Sequence, residues 1–499
     1  MECTIEWVRM VGHRQEVPMI TLDGSLGIDG VVALADRSRR PALGDGQLDR
    51  IAAAATAATA IADRHPVYGR STGVGANRTT AVAADHGHAL RLLRSHAVDA
   101  GPALPARAVR AMLAVRLNQL CLPGSGIDPR VASGLLRMLE LDALPEVRSL
   151  GSLGTGDLTA LAGTALALLG ERPTTHPLPP LEPWGAESAL AFISSNALTI
   201  GRACLAVEEL SRLERAARVV LAMSAVALGA EPGAFSPRAA DAAAAPGVAE
   251  VSASVRQLLA GVGDDRILAA RVQDPYGFRV VPHTQGALLA GRRALADQAE
   301  ALLGTAQENP LFDPASGTVV HHGGFFQTAL ALAGESASLA LAGTTSTTLS
   351  RIRLLNEPEY SGQRPFLAAG PAGASGLMMV EYVAAAAIAE IRAAAHPASL
   401  GTVSLSRGTE DDAPFTAQAI AQLERAVPAY RVLLSCELVG AVRALRQRGR
   451  ASGHAGLLGQ AVALVASLPS DDSDRDLRGD LDEAGVLLDG LATILDDLS

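Results

Sequence analysis

An all-α subunit is what this sequence predicts, and three observations carry that reading. Alanine and leucine dominate a composition that is 48% hydrophobic and only 3% aromatic, a balance that favours helix over sheet. The second half holds long helical runs, at about 187–230, 283–304, 325–350, 378–395, 415–447, 453–468 and 480–497, several of them well beyond the roughly 11–12 residues of an average helix. Ala-rich helices with few large side chains pack closely and need partners for their faces, so a multi-subunit bundle is expected. The organisation expected is a smaller N-terminal lobe over residues 1–200 and a central bundle of long helices with C-terminal helices over 201–499.

Charge and composition exclude several function classes. The 499 residues carry a net charge of −10 and no basic block, so nucleic acid is not an expected partner. All 42 basic residues are arginine. That removes Schiff-base lysines and the P-loop lysine together. Cys3, Cys121, Cys204 and Cys436 lie far apart with no CxxC pair, which fits neither a zinc site nor a disulfide framework. The first eighteen residues are charged and lack an apolar run of signal-peptide length. The apolar helices read as interrupted by charge or glycine before a full membrane span. A cytoplasmic protein with no membrane partner is expected.

Taken in order, residues 19–37 read as a short strand, a turn at Asp23-Gly24 and a first helix. A helix over 51–63 ends at His65-Pro66, because the residue before proline is pushed out of helix. A glycine-rich loop follows, Val67-Tyr68-Gly69-Arg70-Ser71-Thr72-Gly73-Val74-Gly75. No βαβ pattern surrounds it, so a nucleotide cradle is not indicated; a tyrosine leading three glycines suggests a site loop. Residues 85–120 read as two helices broken at Gly101-Pro102, with Ser95-His96 in the first. A turn at Pro123-Gly124-Ser125-Gly126 comes next.

The stretch Gly151-Ser152-Leu153-Gly154-Thr155-Gly156-Asp157-Leu158 is glycine-dense and leads into a helix over 157–170. Its plain reading is a tight turn with Thr155 or Asp157 as helix cap. A proline-rich excursion over 172–186 reads as a loop.

Polar interruptions mark the helical half: Gln273-Asp274-Pro275-Tyr276-Gly277-Phe278-Arg279, Glu308-Asn309-Pro310, His321-His322-Gly323-Gly324-Phe325-Phe326-Gln327 and Gly408-Thr409-Glu410-Asp411-Asp412. Adjacent histidines with no carboxylate at i+3 or i+4 do not make a chelating set, so no metal is expected. Asp411 and Asp412 read as an acidic run before a helix N-terminus.

Together, and in this order, these pieces resemble the histidine/phenylalanine/tyrosine ammonia-lyase and aminomutase family. Val67-Tyr68-Gly69…Thr72-Gly73-Val74-Gly75 is similar to its Tyr-Gly-x-x-Thr-Gly-Phe-Gly loop, and Ser95-His96-Ala97 to the Ser-His-Ala of the histidine branch. Gln273-Asp274-Pro275-Tyr276…Arg279, Glu308-Asn309-Pro310-Leu311, Arg351-Ile352…Leu355, Ser375-Gly376, His396-Pro397-Ala398-Ser399 and Glu410-Asp411 match further landmarks. The similarity runs from about residue 20 to 447. It implies an ammonia-lyase-like bundle assembled as a homotetramer, with each site built from three subunits. It also implies a methylidene-imidazolone electrophile, made where an internal Ala-Ser-Gly cyclises and loses two waters.

This sequence departs from the family at that triad. The family reads Gly-Ser-Val-Gly-Ala-Ser-Gly-Asp-Leu; here the chain is one residue shorter, and the triad becomes Gly154-Thr155-Gly156. Threonine has a hydroxyl to lose, but its extra methyl would block the attacked carbon and feed it electrons. No cofactor, or an atypical methylidene-imidazolone, is therefore expected. Ser194 stands where the family has an asparagine, Phe325-Phe326-Gln327 for Asn-Phe-His, and Asp412 for a histidine.

Tyr68, Tyr276 and Glu410 remain as candidate catalytic residues, and His96, Ser194, Arg279 and Phe326 as substrate-binding ones. Tyr68 could act as a general base or acid if a neighbouring cation lowered its pKa. Arg279 offers a bidentate clamp for a carboxylate, and Tyr276 a hydrogen bond to developing charge. The reading is a lyase-type enzyme performing α,β-elimination or rearrangement on a small amino acid-like substrate, with a lean towards a histidine-like or polar ring. The alternatives are a cofactor-free catalyst of dehydration or cyclisation using Tyr68, and a non-catalytic binding subunit.

Overall fold

The structure, a computed structural model, describes residues 17–264 and 267–496. The charged start at 1–16, with the no-signal-peptide reading and Cys3, lies outside them. Two compact units emerge. The first takes the residues up to Leu205 with Glu300–Phe326 and Ser404–Asp411; the second takes Ala206–Ala299, Gln327–Val403 and the chain from Asp412 onward.

At the centre of the first unit is the helix Ala106–Leu120, buried on every side from Ala111 to Leu120. A helix enclosed all round must find partners for its polar side chains, and this one does. Arg116, fully buried, pairs with Glu308 at 2.8 Å and donates to the carbonyl of Phe192. Asn118 accepts the N–H groups of Gly24 and Leu26 and donates to the carbonyl of Leu303. Gln119 accepts the hydroxyl of Ser195 at 2.6 Å. One helix thus fixes the chain entry, the 302–308 segment and the segment after Phe192.

Helices Ile28–Ala35, Gln47–Ala62, His86–His96, Pro129–Leu141, Leu158–Leu168 and Ala186–Ile193 pack in this unit with it. The sequence reading did not anticipate Pro129–Leu141, although its start carries clear signals: Asp128 accepts from the N–H of Arg130, and proline sits at the first helical position. Among the described residues strands are confined to three two-stranded pairs. In one, Ala100–Ala103 lies antiparallel to Arg148–Leu150, which places the segment after His96 beside the strand that leads into Gly151.

The single helix expected over 187–230 is two, Ala186–Ile193 and Ala197–Leu228. Ser194-Ser195-Asn196 breaks it because its polar groups bond elsewhere. By length and composition Ala186–Leu228 could cross a membrane, contrary to the expectation that every apolar run is interrupted; 94% of its apolar window is buried in the fold.

The second unit is a bundle of long helices, including Thr328–Asn356, Met378–Ala394, Thr416–Gln447 and Arg478–Thr493. Its interior holds an ion pair. Arg351 contacts both carboxylate oxygens of Glu437, at 2.6 and 2.8 Å, and donates to the carbonyl of Gly277 at 2.9 Å. A methyl at Gly277 would meet the Ser350 hydroxyl at 2.7 Å, so glycine lets the short helix Tyr276–Arg279 sit directly on the bundle. Cys121, Cys204 and Cys436 are buried free thiols.

Candidate active site

The candidate residues fall into two groups, one in each unit. In the first unit the Gly154-Thr155-Gly156 loop is held by its flanks. Gly154 and Gly156 adopt φ of +92° and +116°, which only glycine takes without strain. The N–H of Gly156 donates to Asn196 Oδ1 at 3.0 Å, and the N–H of Asp157 donates to the carbonyl of Ser195 at 2.7 Å. Asn196 is itself clamped, since its Nδ2 donates to the carbonyl of Phe325.

Asp157 is fully buried and accepts both the N–H and the hydroxyl of Thr199. Burial raises its pKa above the usual carboxylate value, against the hydrogen bonds from Thr199 and Ser152. The helix-capping reading gives way here: Asp157 precedes Leu158–Leu168, but its carboxylate serves Thr199 and makes no cap bond. Thr155 stands half-buried at the turn.

The Gly156 nitrogen, the one that would attack in the family's cyclisation, directs its N–H at Asn196 Oδ1, and Thr155 brings a methyl to the centre of the triad.

Tyr68 and Glu410 come together in the same unit. Tyr68 Oη accepts the N–H of Gly75 at 2.7 Å, folding the glycine loop onto its own tyrosine. Ser406 accepts the N–H of Ala76, and Arg78 donates to Thr409, so the 405–410 turn docks on this loop. The turn closes through a bridge between Leu405 and Glu410. Burial raises the Tyr68 phenol above its ordinary pKa; the Gly75 N–H opposes this and the negative charge of Glu410 adds to it. That direction is opposite to the lowered pKa a base would need.

His321, unassigned by the sequence reading, accepts the backbone N–H of Tyr68 at 3.3 Å and meets its ring edge-on. His322 is structural. Its Nδ1 accepts from Gly324, so its Nε2 carries the proton donated to the carbonyl of Glu308.

Of the other predicted residues, Ser194 is buried and its hydroxyl accepts the N–H of Asn309 at 3.0 Å. His96 ends the helix His86–His96, with Nδ1 on the carbonyl of Leu92 and near the Ser95 hydroxyl. Phe326 is partly exposed and follows the carbonyl that Asn196 holds. Asn196 was missed as a site residue, because its side chain works on backbone groups of distant segments.

In the second unit Arg279 lies over the ring of the exposed Tyr276, 4.9 Å from its centroid. It borders a cleft of about 410 Å³ with Glu231, Gln273 and His283.

The profile of the family described as aromatic amino acid lyase matches residues 26–467. The chain belongs to the aromatic amino acid lyase family. This lyase is 31% identical to a histidine ammonia-lyase of Deinococcus radiodurans over 484 residues, 92% of this chain and 91% of that one. It also superposes on the histidine ammonia-lyase of Trypanosoma cruzi with a TM-score of 0.86 and 26% identity, covering 95% and 94% of the two chains. The Treponema denticola ergothionase, an ergothioneine-degrading enzyme, shares the fold at a TM-score of 0.87 and 21% identity, covering 96% and 100%. The expected family and helical bundle are therefore found, and the protein is a lyase-type enzyme of a carbon–nitrogen lyase family.

Proposed function

We propose that this lyase performs α,β-elimination or rearrangement on a small amino acid-like substrate without the usual methylidene-imidazolone. The observation that carries the proposal is the Gly154-Thr155-Gly156 loop, in which threonine puts a methyl on the carbon that the usual electrophile leaves open. In an elimination, a base removes the β-proton, its electrons form the double bond, and the amine departs with the carbon–nitrogen pair. Tyr68 is the proton-moving residue in this reading, Glu410 its charged neighbour, and Arg279 the carboxylate clamp. Intact-protein mass tests the cofactor directly. A subunit mass equal to that of its sequence is expected; a deficit of two waters overturns it.

A second reading uses the Tyr68 hydroxyl as the proton donor in an acid-assisted dehydration or cyclisation. Under that reading Tyr68→Phe abolishes turnover and Thr155→Ala does not.

A homotetramer is part of the proposal. On Thr328–Asn356 the exposed positions include Leu332, Ser336, Leu339, Gly343 and Ser346, while Glu335 and Arg351 turn inward. On Met378–Ala394 they include Met379, Tyr382, Val383, Ala386 and Ala389. Leu332 and Leu339 on one helix, and Met379, Tyr382 and Val383 on the other, are large apolar side chains left exposed, and they support burial against further copies.

A further inference from the structure

We propose that Glu231 is the ammonium-binding counterpart of Arg279, and that the cleft they border takes an amino acid zwitterion. The inference rests on the reading of Arg279 as a carboxylate clamp. All the cleft residues lie within the second unit.

Its fixed charges are Arg279, Glu231 and Asp274, with His283 the remaining titratable group on its wall. Asp274 is buried and spent: it accepts the N–H of Glu231 and holds Arg271 at 2.7 Å. Arg279 is not spent. Its Nε is buried without a hydrogen-bond partner, and among the described residues no carboxylate lies within ion-pair reach of it. Its contact is the face of Tyr276, which leaves the donor edges of the guanidinium open.

Glu231 is half spent. Its Oε2 accepts the N–H of Gly233 at 2.7 Å, which fixes the side chain, and its Oε1 has no partner among the described residues. One cation and one anion therefore share a cleft of about 410 Å³ without pairing with each other. A ligand with a carboxylate at one end and an ammonium at the other satisfies both, and a ligand with one charge leaves the other unanswered. The loop at Thr155 gives this a chemical reason. Where the usual electrophile is not built, the substrate amine needs another group to hold it, and a carboxylate does so while keeping the nitrogen protonated for departure.

Equilibrium binding to the full-length protein tests the assignment with three probes: L-histidine, imidazole-4-propionate, which lacks the amine, and histamine, which lacks the carboxylate. Histidine is expected to bind about tenfold or more tightly than either single-charge analogue, the worth of one charge-assisted hydrogen bond. Glu231→Gln keeps an acceptor for Gly233 while removing the charge. It should erase the preference for histidine over imidazole-4-propionate and leave the affinity for the latter within about twofold. The assignment is overturned if the preference survives Glu231→Gln, if both ligands weaken together, or if the unaltered protein shows no preference. Arg279→Gln separates the two claims. Loss of imidazole-4-propionate binding upholds the clamp whatever Glu231 does, and unchanged binding, or binding of neither acid to the unaltered protein, removes the clamp and this inference together.

Discussion

Asn196 holds the nitrogen of Gly156: its Oδ1 accepts that N–H at 3.0 Å, and its Nδ2 donates to the carbonyl of Phe325 at 2.8 Å. The side chain spans the loop where the family builds its electrophile and the Gly323-Gly324 segment beyond. Replacing it with alanine strands a buried donor and weakens the hold on a carbonyl. Asn196→Ala should lower unfolding stability by about 1–3 kcal/mol, read from denaturant midpoints at unchanged slope. A shift below a few tenths of a kcal/mol would show that water replaces both bonds.

Tyr68 separates chemistry from folding. Its hydroxyl accepts one backbone N–H within the fold, so Tyr68→Phe should cost only about 0.5–1.5 kcal/mol of stability. If it moves the proton, turnover should fall by about 10²–10⁴-fold. Retention of full activity by a folded Tyr68→Phe protein would exclude the residue from the reaction.

Alkaline pH should unfold this protein through its interior. Tyr430 is fully buried and its phenol is pushed up to about 12, chiefly by burial; the thiols of Cys121 and Cys436 rise likewise to about 12. A raised pKa means that the folded state keeps a proton the unfolded chain releases. The stability is therefore fully present below about pH 9 and is lost as pH climbs towards 12. Tyr430→Phe should remove a share of that loss on the order of 2 kcal/mol. Melting temperatures measured between pH 8 and 11.5 check this: parallel curves for the variant and the parent would rule out Tyr430 as a contributor.

The exposed apolar side chains of two long helices predict the assembly state. Leu339 is half exposed on Thr328–Asn356, and arginine there would bury an unpaired charge in any contact between copies. Light scattering after gel filtration should show a tetramer for the parent and smaller species for Leu339→Arg. A monomeric parent would refute the assembly.

The helical class was legible because alanine and leucine periodicity is a local signal, and Thr416–Gln447 begins within a residue of where that periodicity placed it. The break at Ser194-Ser195-Asn196 was not legible. It arises from partners far away in sequence, Gln119 for Ser195 and Gln307 for the N–H of Asn196, and no local propensity encodes those.

The site was legible in part. Tyr68, Arg279 and the Gly154-Thr155-Gly156 loop announced themselves through unusual residues at fixed spacing. The sign of the Tyr68 shift did not, because burial, and not residue identity, sets it. His321 and Asn196 were hidden for a related reason: each acts through backbone groups, which have no sequence signature.

The backbone angles of the loop also decide which experiments can reshape it. A Cβ at Gly156 would meet Leu158 Cδ1 at 2.4 Å, on a residue already at positive φ, and Gly154 shares that φ region. A mutagenesis library aimed at new chemistry here should hold positions 154 and 156 constant and spend its diversity at 153 and 155. Randomising all four would fill the pool with chains whose loop cannot close, and selection would then report on folding in place of catalysis.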